Sequence, residues 1–224
     1  MVEPADLPSC PACHAPPVSS LACLACGHVL DEQPGADHFL RLGLPKDELF
    51  DPARAEANYL RLSRALHPDF MADAGDDALF RAVSHSALLN EAWGVLNDEQ
   101  LRAEYVLELH HPGALEQHKR LSPEFLMEAM ELSEELEEAR DEGCADTIRR
   151  ISAAARGALH ERMNGVASVC GATIDRIAHE ADPPEVPVRD RRLHPHEWNS
   201  ARVATLLHQA RIYRRILRDA GEKH

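Results

Sequence analysis

The chain is expected to be all-α: a helical hairpin around a tripeptide turn, then an antiparallel three-helix bundle, with a small cysteine-knuckle domain in front. Three observations lead there. Apolar residues are 44% of the 224 positions but aromatics only 4%, so packing rests on aliphatic side chains and alanine, which suits helices better than sandwiches. Helix-start signals recur at Asp51-Pro52 and Ser122-Pro123, where a capping side chain precedes a proline at the first helical position. Between the hairpin helices stands His67-Pro68-Asp69, and a proline ends or kinks a helix at the residue before it.

The elements follow in order. Cys10-Pro11-Ala12-Cys13 and Cys23-Leu24-Ala25-Cys26-Gly27 form two knuckles able to set four thiolates around one tetrahedral zinc, at roughly 2.3 Å per bond. A segment this small cannot stabilise itself by burial, so the metal would supply the folding energy, on the order of 10–16 kcal/mol in small zinc-finger peptides. His14 and His28 adjoin a ligand set that four cysteines already complete. Residues 38–45 read as a short helix stopped by Gly43 and Pro45. From Asp51 a helix runs to about Leu66, with Ala55, Tyr59, Leu62 and Leu66 as its core stripe and Arg54, Arg61 and Arg64 largely opposite.

A longer helix over 76–97 should bury Leu79, Val83, Ala87, Asn90 (or Leu89), Trp93 and Leu96 along one side. A shorter one passes through Leu101, Tyr105 and Leu109 and stops near Pro112-Gly113. Three further helices begin near 123, 145 and 197, the last two ending near 179 and 218 around a proline-rich break at 182–187. Domains are therefore expected over 1–35, 36–112 and 120–220.

The helix over 123–142 has two kinds of apolar position. Phe125, Ala129, Leu132, Leu136 and Ala139 form a 4-3-4-3 seam to be buried. Leu126, Met127 and Met130 lie off that seam with Glu131 and Glu134, and are either covered by the rest of the chain or a partner surface to which methionine suits adaptable contacts.

The net charge of −14 disfavours nucleic-acid and anionic-membrane partners, and no run has the length of a membrane span. The first residues lack the apolar core of a signal peptide and the arginines of a transit peptide, so a cytoplasmic location is expected, with the mature form of a mitochondrial protein reading the same way. In a reducing compartment, six cysteines point to metal rather than disulfides. Cys144 and Cys170 read most simply as buried or incidental thiols, and no paired acid/base constellation or phosphate loop is visible, so no enzyme is expected.

With these residues in view, the stretch 37–110 resembles the J-domain, in which a basic helix, a His-Pro-Asp loop and an antiparallel helix follow a short one. More narrowly, 37–219 resembles the HscB family of iron–sulfur cluster assembly. The resemblance rests on residues 39–45, His67-Pro68-Asp69-Phe70, residues 89–93 and 102–110, and above all residues 125–138. It implies a co-chaperone that stimulates ATP hydrolysis by a DnaK-class chaperone (HscA-like) and binds a scaffold protein (IscU-like) that carries the cluster. His67, Pro68 and Asp69 would then be the trigger, and Arg54, Arg61 and Arg64 would steer toward an acidic chaperone surface. Leu126, Met127, Met130, Glu131 and Glu134 match scaffold-contact positions, with Ile212 less securely aligned and Tyr213 as its alternative. The tetracysteine segment resembles the extra N-terminal domain of eukaryotic members. The resemblance leaves room for weak self-association.

Three departures stand out: Leu66 and Phe70 flank the loop where many J-domains have Tyr and Lys, and Met130 stands where the family more usually has Leu, a volume-conserving change. Two other readings remain open at this point, a generic J-protein for unfolded clients and a zinc-ribbon nucleic-acid binder.

Overall fold

The computed structural model describes residues 7–16, 18–31, 33–46, 50–70, 75–170 and 198–222, with the side chains of Phe70, Val169 and Cys170 left out. The regular structure of the described residues is all-helical. Its helices are α1 (His38–Leu42), α2 (Pro52–Ala65), α3 (Asp76–Leu96), α4 (Glu99–His110), α5 (Ala114–Gln117), α6 (Pro123–Asp141), α7 (Ala145–Cys170) and α8 (Ser200–Asp219). Among the described residues the extended chain amounts to one isolated antiparallel bridge, Ala22 with Val29. Packing divides the molecule into two compact units, Met1–Arg102 and Ala103–His224.

In the first unit, the expected punctuation is realised. Asp37 caps α1, accepting from the Leu40 N–H, and Gly43 closes it at φ 66°. The Asp51 carboxylate accepts from the Ala53 and Arg54 N–H groups, with Pro52 at the first helical position of α2. Helix α2 buries Ala55, Leu62 and Leu66 completely or nearly so, as the spacing predicts. Tyr59 is only half-buried. It stacks on Trp93 of α3 at 4.6 Å and donates to Asn90 Oδ1 at 3.1 Å.

The stripe expected on α3 is corrected. Val83 is 51% exposed, and Ala87 and Asn90 are exposed too. The buried face is Ala82, His85, Leu89, Ala92 and Leu96, which keeps Leu96 and the alternative Leu89 from the expected stripe and replaces the rest. Two alanines weaken the apolar signal of this face, and a buried histidine interrupts what periodicity can register. Helix α4 runs through Leu101, Tyr105 and Leu109 as expected, and buries Ala103, Val106 and Leu107 while Leu101 is 41% exposed.

The second unit centres on α6, α7 and α8, which pack on one another as a three-helix bundle. Ser122 caps α6 through the Phe125 N–H, with Pro123 at its first position. Phe125, Ala129 and Leu136 meet Ile151 and Ala155 of α7 and Tyr213, Ile216 and Leu217 of α8 in one core, with Leu132 against it. The Phe125 and Tyr213 rings meet edge to face at 5.7 Å. The Glu104 carboxylate of α4 takes a two-pronged grip from Arg211 of α8, both N···O distances 2.6 Å. The expected helix end near 179, the break at 182–187 and the start at Glu197 lie outside the described residues.

Candidate functional site

Three groups of residues bear chemistry. In the first, two knuckles bring Cys10, Cys13, Cys23 and Cys26 together, all four sulfurs within 4.8 Å of one another. The knuckles are built alike. Cys10 O accepts from His14 N–H and Cys23 O from Gly27 N–H, both at 2.8 Å. The residue after each second cysteine turns left-handed, His14 at φ 57° and Gly27 at φ 80°. Cys10 Sγ lies 3.7 Å from Cys26 Sγ, and Cys13 Sγ 3.7 Å from Cys23 Sγ. A tetrahedron with metal–sulfur bonds of about 2.3 Å has edges of about 3.8 Å, so the donor set fits a four-coordinate metal ion.

The thiols are also poised unequally. Burial disfavours the Cys10 thiolate, but the N–H groups of Cys13 and Ala12, with Cys26 and Cys13 sulfur contacts, bring its pKa down to about 7. For Cys26 the His28 N–H favours ionisation, yet the neighbouring thiol of Cys13, burial, and the thiols of Cys10 and Cys23 outweigh it and push the pKa up to about 12. Four crowded sulfurs cannot all ionise without a cation among them.

The knuckles are seated on the first unit's helices. Ser19 Oγ donates to Arg41 O at 2.7 Å, and Ser20 N–H donates to Leu40 O at 3.2 Å. His85, buried in α3, donates from Nδ1 to Leu21 O at 3.0 Å. Arg61 of α2 donates to Leu24 O. None of these seats was legible in the sequence; a histidine inside an apolar stripe is the one signal that could have flagged His85. Asn58 was missed for the same reason. It is buried in α2 and donates to Leu42 O and Gly43 O at 3.0 and 3.1 Å, tying α2 to the end of α1.

The second group is the loop after α2. Leu66, fully buried, anchors it, and Pro68–Phe70 form one 3₁₀ turn. His67 and Asp69 are 52% and 84% exposed at their side chains. The Asp69 N–H donates to His67 Nδ1 at 3.2 Å, holding the imidazole against the turn. Arg54, Arg61 and Arg64 are all exposed on α2. Arg61 also binds the knuckle, through the Leu24 carbonyl.

The third group lies on α6. Leu126 is 42% exposed, Met127 63% and Met130 61%, with Glu131 and Glu134 exposed on the same helix. Between the two readings of this set, the described residues leave it uncovered. Ile212 is half-buried and packs against the bundle core, while Tyr213 is fully inside it at 2% exposure. Cys144 is half-buried before α7, its Sγ 3.1 Å from Thr147 Oγ1. The Cys170 side chain lies outside the described set. No described helix is long and apolar enough to cross a membrane.

Residues 121–182, which contain all of α6, match the family model of the HSCB C-terminal oligomerisation domain. Among solved structures, that of human co-chaperone protein HscB is similar at a TM-score of 0.68 and 21% identity, covering 96% of this chain and 97% of that one. Chaperone HscB from Vibrio cholerae is similar at a TM-score of 0.58 and 24% identity, covering 83% of this chain and 96% of that one. Residues 121–182 thus match the C-terminal domain of the HscB family, and the chain shares the all-helical fold of the two HscB structures.

Proposed function

We propose that this chain is a non-enzymatic co-chaperone of iron–sulfur cluster assembly that links a cluster scaffold (IscU-like) to a DnaK-class ATPase (HscA-like). The observation that carries this reading is the outward apolar face of α6, inside the matched domain: a soluble bundle gains nothing by exposing Leu126, Met127 and Met130 side by side. Those three residues, flanked by Glu131 and Glu134, would receive the scaffold, and Ile212 is the remaining assigned contact. The functional division is 36–112 for the chaperone and 120–220 for the scaffold, with 1–35 as a structural zinc domain on Cys10, Cys13, Cys23 and Cys26.

His67, Pro68 and Asp69 would act as the trigger. A rigid turn offers one imidazole and one carboxylate at a fixed spacing, with most of both side chains open to a partner. Arg54, Arg61 and Arg64 supply the positive charge that steers an acidic chaperone surface onto the turn. No bond is made or broken by this chain; the work is mass action. With the scaffold on one domain and the ATPase on the other, the client sits at a raised effective concentration beside the chaperone.

Steady-state ATPase assays of the chaperone test this, with the scaffold and this protein added separately and together. Synergy is expected, with loss of stimulation in Asp69→Ala but unchanged scaffold affinity. Stimulation that survives in Asp69→Ala, or none in any combination, would overturn the reading.

A further inference from the structure

The tetracysteine segment grips the helices of its unit at two levels, and only one of them depends on the sulfurs. Residues 21–30 form a small hairpin: Ala22 bridges Val29, Cys23 N–H donates to His28 O at 2.9 Å, and Leu30 N–H donates to Leu21 O at 3.1 Å. At its base, Ser19, Ser20 and Leu21 are buried, and their bonds run to the Arg41 and Leu40 carbonyls of α1 and to His85 of α3. Its tip, Cys23 to Gly27, reaches α2 instead. There Arg61 donates to Leu24 O, and a Cβ built on Gly27 would lie 3.6 Å from Ala65 Cβ.

We propose that the metal-organised tip is a clamp on the last turn of α2, so that occupancy of the tetracysteine site sets how firmly the helix end before the trigger is held. The consequence for stimulation rests on the chaperone reading above; the clamp itself is a property of this chain alone.

The tip is the part a metal would fix. Leu24 lies inside the Cys23–Cys26 chelate loop and Gly27 directly follows it, so both residues that meet α2 belong to the ring that an ion closes. An ion among the four sulfurs also ties this tip to Cys10 and Cys13 of the first knuckle. Without one, the tip keeps its own turn bond from Gly27 N–H to Cys23 O but loses that tie.

Packing replaces the metal only in part. The Leu24 side chain leans on Gly43, yet a cleft of about 390 Å³ separates residues 23–27 from Arg61, Leu62, Arg64 and Ala65. A tip that spans a cleft is placed by its own rigidity, whereas the base is placed by burial.

The end of α2 is the receiver. Leu66 N–H donates to Leu62 O at 2.9 Å and His67 N–H to Arg64 O at 3.3 Å, and these bonds close the last turn. Pro68 has no N–H with which to continue it. Helix ends fray first, so contacts at Arg61 and Ala65 bear directly on His67.

Amide hydrogen exchange of the full-length protein in reducing buffer, zinc-loaded and after chelation, reads the clamp. Exchange at Leu66 and His67 should be about tenfold faster without metal, while Leu89 in the middle of α3 stays within about twofold. Added zinc should restore the loaded rates. Arg61→Ala removes one tip contact, so it should speed Leu66 and His67 in the loaded protein and shrink the effect of chelation. The half-stimulating concentration toward the DnaK-class chaperone should rise on chelation together with these rates. Unchanged exchange at Leu66 and His67 would overturn the clamp. Equal acceleration at Leu89 would overturn it too, since the metal would then hold the whole unit. If stimulation weakens while exchange stays constant, the knuckle meets the chaperone directly, and the inference fails with the chaperone reading intact. If exchange responds as expected but loaded wild type gives no stimulation, the chaperone reading falls and the clamp stands.

Discussion

Leu24 of the second knuckle and Gly43 at the end of α1 meet so closely that a Cβ on Gly43 would stand 2.9 Å from Leu24 Cδ1 and 3.2 Å from Val18 Cγ1. Gly43 is also left-handed, at φ 66°, and its N–H closes α1 onto Leu40 O. Gly43→Ala therefore meets two obstacles, backbone strain of about 1–2 kcal/mol and the displacement of Leu24. The expected loss is about 2 kcal/mol in urea unfolding of the metal-loaded protein. Gly143→Ala, at φ 67° as well but with nothing within 4 Å, should cost the strain alone. Equal losses in the two variants would show that the Leu24 contact contributes nothing.

Metal binding should release protons, and the thiols set how many. In the metal-free protein Cys10 is brought down to about 7 and Cys26 is pushed up to about 12, while Cys13 is held above its ordinary value by neighbouring thiols and burial against its Ala15 and Cys26 hydrogen bonds. At neutral pH Cys13 and Cys26 hold their protons and must give them up to a metal. Zinc titrated into weakly buffered protein at pH 7 should therefore free at least about two protons per ion. As pH falls through 7, Cys10 takes up a proton too, so apparent metal affinity must fall more steeply below pH 7 than above it. Release of fewer than two protons would contradict the crowded-thiol geometry.

Chelation should loosen the knuckles without melting the helices. Residues 10–30 owe their shape to the sulfurs and to seats on Arg41, Arg61 and His85, whereas α1 to α3 have their own buried contacts, Leu42, Leu62 and Leu89 among them. Helical circular dichroism should change little on metal removal, while limited proteolysis should cut within 10–30. A cooperative loss of helix would mean that the metal holds the whole unit.

What the sequence made legible divides along physical lines. Caps at Asp51 and Ser122, the stop at Gly43 and the seam of Phe125, Ala129, Leu136 and Ala139 are local or strictly periodic, and each is found where spacing puts it. The four cysteines are legible because ligand spacing is nearly a geometric statement. The face of α3 was misread because its inward side mixes alanine with a hydrogen-bonded histidine, while Phe80 and Val83, at 74% and 51% exposure, point outward. Tertiary demand, the close approach of α1 and the Leu21 carbonyl, decided that face, and no pattern in one helix encodes it. The seating of the knuckle on Arg61 is hidden for the same reason, since the acceptor is a backbone oxygen.

The Glu104–Arg211 pair offers a test of the second unit. The Glu104 side chain is 10% exposed and receives two hydrogen bonds from Arg211, whose own pKa those bonds raise. Removing the guanidinium leaves a nearly buried carboxylate without its main partner. Because Arg211 is 46% exposed, water makes good part of the loss, and Arg211→Ala should cost about 1–2 kcal/mol. Arg211→Lys keeps the charge but not the fork and should recover only part. A Lys variant as stable as wild type would show that charge alone matters there.

Two adjacent residues of α6 should separate stability from binding. Phe125 is 6% exposed and meets Tyr213 edge to face, whereas Leu126, its neighbour, is 42% exposed and Met127 63%. Phe125→Ala opens a cavity in the core shared with Ile151 and Leu217 and should cost about 3–5 kcal/mol. Leu126→Ala with Met127→Ala removes surface that the folded chain itself does not bury, so the change in unfolding free energy should stay within about 0.5 kcal/mol per site. If α6 receives the scaffold, that double variant nonetheless loses scaffold affinity by about tenfold or more, since apolar anchors at an interface centre dominate its energy. ATPase stimulation without scaffold should be unaffected, because the trigger at His67 and Asp69 belongs to the other unit. A double variant that binds scaffold normally would leave the outward methionines without a function and return the question to what else covers them.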